Sequence, residues 1–208
     1  MSGAASQPAP DATMLAGLIG SRLCHDLVSP LGAIGNGVEL LEMAGLPGLK
    51  DSPEMALIAD SLRAARARVQ IFRIAFGQAA GDQRMSGAQI RHALDDLQTD
   101  SRLRVELSDP ADLPRSEVRI LILALLCLQD AMPWGGRVLA ARSGPRWRLV
   151  AEAERMKPDT GLWRWLDATP EAACRPSEVQ FPLLAAALAG AGRRAVVELD
   201  DKGAELTL

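Results

Sequence analysis

The chain has 208 residues, room for one large domain or two small ones, and 48% of them are hydrophobic, enough for a buried core and too many for a disordered tail. A net charge of -3 and an aromatic content of 3%, without tyrosine, argue against the basic face and the base-stacking platform of a nucleic-acid binder. The three cysteines, Cys24, Cys127 and Cys174, are odd in number and lack CxxC spacing, which implies buried thiols in a reducing compartment, not a disulfide frame or a zinc site.

Residues 1–10 are small and proline-rich and read as a disordered leader. They lack the basic and then apolar regions of a signal peptide, and no apolar run further on reaches membrane-spanning length, so a cytoplasmic protein without a membrane partner is expected. From Asp11 to Ala44 the pattern is helical. Cys24, Leu27, Leu31, Ile34, Val38 and Leu41 recur at spacings of three and four, the seam of a helix packed against others. Gly45, Pro47 and Gly48 break that helix. Ser52 and Pro53 read as an N-cap and first helical residue, and a second helix is expected to about Ala80, with Met55, Ile58, Leu62, Ala65, Val69, Phe72 and Phe76 as its seam. Two helices of similar length with a short connection make an antiparallel hairpin, and two seams on one hairpin call for a dimeric four-helix bundle.

Near Gly81 the pattern changes to alternating helix and strand. Helices are expected at Ser86 to Leu97, Ser116 to Met132, Leu162 to Asp167 and Ser177 to Ala189. Strands are expected at Leu103 to Leu107, Arg137 to Arg142, Trp147 to Ala153, Ala195 to Leu199 and Ala204 to Leu208. The fold class is therefore α+β: a helical hairpin over 11–80, then an α/β sandwich over 81–208, with helices on one face of a mixed sheet.

His25 is one of only two histidines. It follows the seam residue Cys24 by one position, about 100° of helix rotation, and so faces outward from the flank of the seam. Asp26 is adjacent, and Ser29 lies one turn on. Gly32, Ala33, Gly35, Asn36 and Gly37 follow. Each helical glycine costs roughly 1 kcal/mol relative to alanine, and small side chains there would let another protein approach the backbone below the histidine. An imidazole neutral near pH 7 is a competent nucleophile for phosphorus, and Asp26 could fix its tautomer and offset charge that develops on attack. An isolated surface histidine is usually inert; the adjacent acid and the glycine-rich stretch are what favour a role here. The other histidine, His92, reads as a solvent-facing helix residue, and Trp163 and Trp165 as core.

The run Ser21 to Leu41, with Cys24-His25-Asp26-Leu27, Ser29-Pro30, Gly32-Ala33-Ile34 and Asn36-Gly37, resembles the phosphoacceptor box of sensor histidine kinases. It is closer still to ChpT-type histidine phosphotransferases of alphaproteobacteria, which pair such a hairpin with a domain resembling the kinase ATPase domain. The resemblance implies a homodimer that relays phosphoryl groups between receiver domains of response regulators and a hybrid histidine kinase. His25 would be the acceptor, assisted by Asp26 and Ser29. It implies no cofactor of the chain's own; Mg²⁺ would come with the partner receiver. Gly32, Ala33, Asn36, Arg63 and Arg66 are then candidates to meet a receiver, with Arg68 and Arg73 adding to a basic second helix that would draw in an acidic pocket.

The ATPase motifs are degenerate. Asp130 stands where a Mg²⁺-binding asparagine is expected, Asp159-Thr160-Gly161 is a fragment of the adenine loop, and Val179-Gln180-Phe181-Pro182-Leu183 replaces the glycine-rich phosphate turn. An ATP-dependent histidine kinase is thereby disfavoured. A non-catalytic hairpin that blocks a kinase or a regulator is the alternative from another class.

Overall fold

A computed structural model describes residues 12–44, 52–77, 82–99, 101–109, 111–157, 160–167 and 174–208. The expected leader, the turn at Gly45, Pro47 and Gly48, and Gly81 and Asp159 lie outside the described residues. Helix α1 runs Ala12–Ala44 and helix α2 Pro53–Ala75. The Ser52 hydroxyl accepts a hydrogen bond from the Met55 amide at 3.2 Å, and Pro53 begins the helix as its fixed φ favours. Gly37 abuts Ile58, while Asp26 reaches Arg68. The reversed order of these contacts makes α1 and α2 antiparallel. Helix α2 ends at Ala75, five residues short of the expected end, on a Phe76 cap whose amide bonds the Phe72 carbonyl; residues 78–80 are not described.

The remaining elements are β1 (Arg84–Met85), α3 (Gly87–Gln98), β2 (Leu103–Leu107), β3 (Leu113–Pro114), α4 (Arg115–Ala131), β4 (Gly136–Ser143), β5 (Arg146–Glu152), α5 (Thr160–Trp163), α6 (Gln180–Gly190), β6 (Val196–Leu199) and β7 (Gly203–Thr207). Ser86 and Gln89 close α3 with a reciprocal capping box. The main sheet has the order β2-β4-β5-β7-β6, with β2 and β4 parallel and every other neighbouring pair antiparallel. The β4–β5 turn needs positive φ, which Gly144 supplies at 59°. Two elements went unread in the sequence: β1 and β3 form a separate two-residue ladder, too short to show any alternation.

Sequence explains the layering. Helix α4 is apolar almost all round and nearly all buried, as a helix enclosed on several sides must be. Strands β4, β5 and β7 turn Val138, Ala140, Trp147, Leu149, Ala151, Ala204 and Leu206 into the same core, while Leu139 stays exposed on the other face. Trp163 and Trp165 are buried as expected, and Trp163 meets Phe181 edge-to-face at 5.2 Å. The last long helix divides in two: a 3₁₀ turn at Pro176–Glu178 precedes α6, because Pro182 lacks the amide that would bond back to Glu178 in one continuous α-helix. The mixed helix-and-sheet architecture is the expected α+β class. The cysteine expectation fails at one position: Cys127 and Cys174 are buried, whereas Cys24 is exposed, because the α1 seam finds only part of its cover within one chain.

Candidate functional site

His25 sits in the middle of α1 with its side chain 84% exposed, on the outward flank where one step past the seam puts it. Its Nδ1 lies 2.9 Å from Asp26 Oδ1. The Asp26 carboxylate is almost wholly covered, and its other oxygen accepts from Arg22 Nε at 2.7 Å and lies 3.5 Å from Arg68 Nη1. A carboxylate shared by two guanidiniums acts as a fixed acceptor for the imidazole. The arrangement places the ring proton on Nδ1 and leaves Nε2 facing solvent with its lone pair free. Pro30 lies inside the helix and has no amide to give the Asp26 carbonyl one turn earlier.

A cleft of about 330 Å³ opens beside the ring, lined by His25, Asp26, Ser29, Pro30, Ala33, Asp60, Ser61, Ala64 and Arg68. Of the sequence-derived candidates it gathers His25, Asp26, Ser29 and Ala33. Gly32 and Asn36 are exposed further along α1, outside the cleft lining. Gly32 lies seven residues on, hence on the same helix face as His25. Arg63 and Arg66 are exposed on α2, and Arg63 is paired with Asp60 at 2.8 Å. A Cβ at Gly32 or Gly35 would meet nothing within 4 Å, but at Gly37 it would stand 2.5 Å from Ile58 Cγ1. One of the three glycines therefore serves the contact between α1 and α2, and the other two keep open space on the outer face. His92 is solvent-exposed and 3.8 Å from Asp96.

Sequence reasoning passed over Arg22. Its spacing of four before Asp26 was a usable helical signal; its second bond, from Nη1 to the Ser177 carbonyl at the far end of the chain, left no local trace. Around Ser177 lies a second, smaller cavity of about 160 Å³ with Asp130, Lys157, Trp163, Arg175, Glu178 and Phe181 in its wall. Val179, Gln180 and Phe181 are buried where a phosphate turn would need glycine. Burial pushes the Asp130 carboxyl up to about 6, with Arg22 and Lys157 acting against the rise and Glu178 and Asp26 adding to it. Gln180 Nε2 donates to Asp130 Oδ2 and, at 3.0 Å, to the Ser177 carbonyl. Glu178 is buried, which alone would raise it, but bonds from the Arg175 guanidinium and amide hold it below its ordinary value. Among the described residues there is no group of three or more His, Cys, Asp or Glu side chains able to hold a metal, and no helix long and apolar enough to cross a membrane.

Residues 87–203 match the family model of the histidine phosphotransferase C-terminal domain. The protein phosphotransferase ChpT of Brucella abortus (strain 2308) is 36% identical over 185 residues, which span 85% of this chain and 87% of that protein. The chain belongs to the ChpT-type histidine phosphotransferases. A solved bacterial phosphotransferase superposes with a TM-score of 0.80 at 26% identity, over 98% of this chain and 99% of that one. This phosphotransferase thus carries the fold that its sequence resemblance implied, and its activity is phosphotransfer in a phosphorelay.

Proposed function

We propose that His25 is the phosphoacceptor and that it exchanges phosphoryl groups with aspartyl phosphates on receiver domains of two-component proteins. The observation that carries this is the exposed ring with Nδ1 tied to a buried, doubly supported carboxylate. Nε2 attacks phosphorus with its free lone pair. The phosphorus–oxygen bond to the receiver aspartate breaks, and that carboxylate leaves with the electron pair. The ring keeps its Nδ1 proton and gains positive charge, which Asp26 offsets. Return transfer to another receiver runs the same steps backwards. Ser29 and Arg68 flank the cleft within which the phosphoryl oxygens would lie, and Mg²⁺ is supplied by the receiver.

Residues 11–80 act in this reading as the dimerisation and phosphoacceptor domain, and 81–208 as the ATPase-like domain. Leu31 and Val38 on α1, with Leu62 and Val69 on α2, are 39–59% exposed at heptad spacing within one chain. A second hairpin would cover them in a four-helix bundle. Gly32, Ala33, Asn36, Arg63 and Arg66 lie where a receiver would rest beside His25, in the cytoplasm. The apolar fill of Val179 and Phe181 supports phosphotransfer without an autokinase step. The test is incubation with a receiver labelled on its aspartate: wild-type protein takes up label and His25→Ala does not. Label on the alanine variant refutes the assignment.

A further inference from the structure

We infer that Arg22 is a positioning residue through which the segment before α6 sets the geometry of the phosphoacceptor; the inference rests on His25 being that acceptor. The Arg22 side chain bonds both the hairpin site and the α/β sandwich. Nε donates to Asp26 Oδ2 at 2.7 Å, and Nη1 donates to the Ser177 carbonyl. The same carbonyl accepts from Gln180 Nε2 at 3.0 Å, and Gln180 also donates to Asp130. A continuous chain of polar contacts therefore runs from the imidazole through Asp26, Arg22, the Ser177 carbonyl and Gln180 to Asp130.

Two features make the chain a device for geometry instead of a surface ion pair. The Arg22 side chain is only 15% exposed and that of Asp26 7%, so neither can swing freely to other partners. A planar guanidinium with two of its nitrogens engaged fixes direction as well as charge, which an ammonium cannot do. Asp26 then offers His25 one oxygen in one orientation, and Nε2 points to solvent along a set line. The pocket around Asp130 is thereby put to use in aligning the acceptor. In-line phosphoryl transfer is sensitive to such alignment, since displacements of about 1 Å cost on the order of 100-fold in rate.

The experiment uses the full chain as Arg22→Ala, Arg22→Lys and Gln180→Leu, with His25→Ala as the reference. Each is phosphorylated both by a labelled phospho-receiver and by phosphoramidate, a small donor that needs no docking surface. Nitrogen-15 spectra of the His25 ring report its tautomer. Arg22→Ala is expected to lose about 10-fold or more in kcat with both donors while KM for the receiver stays within about twofold. Its Nδ1–H tautomer signal should give way to a mixture. Arg22→Lys recovers part of the rate, and Gln180→Leu falls between that variant and wild type. Wild-type kcat with an unchanged ring signal overturns the inference, as does a rise in KM alone, which would make Arg22 a docking residue. If Arg22→Ala does not fold, the same two outcomes are read from Arg22→Lys and Gln180→Leu. Should His25→Ala still take up label, the acceptor assignment itself fails; if it is dead and the Arg22 variants are normal, only the positioning role fails.

Discussion

Replacing Gly32 by alanine should make this phosphotransferase more stable and less active. Gly32 lies inside α1, and a Cβ there would meet no atom within 4 Å in the isolated chain. The folded state therefore bears no steric cost, while the helix gains about 1 kcal/mol from the smaller entropy loss of alanine. For a chain of this length that corresponds to a rise in Tm of roughly 2–4 °C. Gly37 supplies the contrast. Its added Cβ would sit 2.5 Å from Ile58 Cγ1, where overpacking costs about 1–3 kcal/mol, so the same helical gain leaves a net loss of up to about 2 kcal/mol. The activity effect comes from the other side of the contact. Gly32 shares the face of His25, so a methyl group there would push a receiver away from Nε2. The same overpacking range of about 1–3 kcal/mol becomes roughly 5- to 150-fold in receiver affinity. Thermal melts of both variants and phosphotransfer rates over a range of receiver concentration read the two effects separately. Loss of Tm in Gly32→Ala, or a gain in Tm with wild-type receiver affinity, would refute the reasoning.

Asp130 makes stability depend on pH. Its folded carboxyl is raised from 3.8 to about 6, so its contribution is fully present below the unfolded value and is lost as pH rises through about 6. Asp130→Asn keeps an oxygen for Gln180 and removes the titration. Its advantage over wild type should grow by at most about 2.5 kcal/mol between pH 4 and pH 8, measured by urea unfolding at both values; an advantage that is the same at both would refute this. Leu62→Glu places a charge on the exposed α2 seam, and sedimentation should show a dimer converted to a monomer that retains its helix content. A dimer undisturbed by that charge would move the proposed interface elsewhere.

The elements that end on local chemistry were legible in the sequence. Ser52-Pro53 announces a helix start, and Ser52 makes the capping bond its residue type promises. The β4–β5 pair and the β6–β7 hairpin follow from apolar runs around turn residues. Contacts across long stretches of sequence were not legible. The β1–β3 ladder joins residues 28 or more apart through two-residue strands. The Arg22 bond to Ser177 spans 155 positions. The site divides in the same way: His25 and Asp26 stand out as a dipeptide on a helix flank, and Arg22 pairs with Asp26 at a helical spacing of four, whereas the support from Arg68 emerges only once the helices pack. Cys24 errs for a related reason. Its spacing places it on a seam, but the described residues cover that seam only in part and leave Cys24 exposed.

The most direct measurement transfers phosphate from a labelled receiver, digests the product under alkaline conditions and locates the phosphoryl group by residue and by ring nitrogen. The structure leads to one acid-labile phosphate on Nε2 of His25, opposite the nitrogen that faces Asp26. A phosphate on Nδ1 of His25, on His92 or on any residue other than histidine would contradict it.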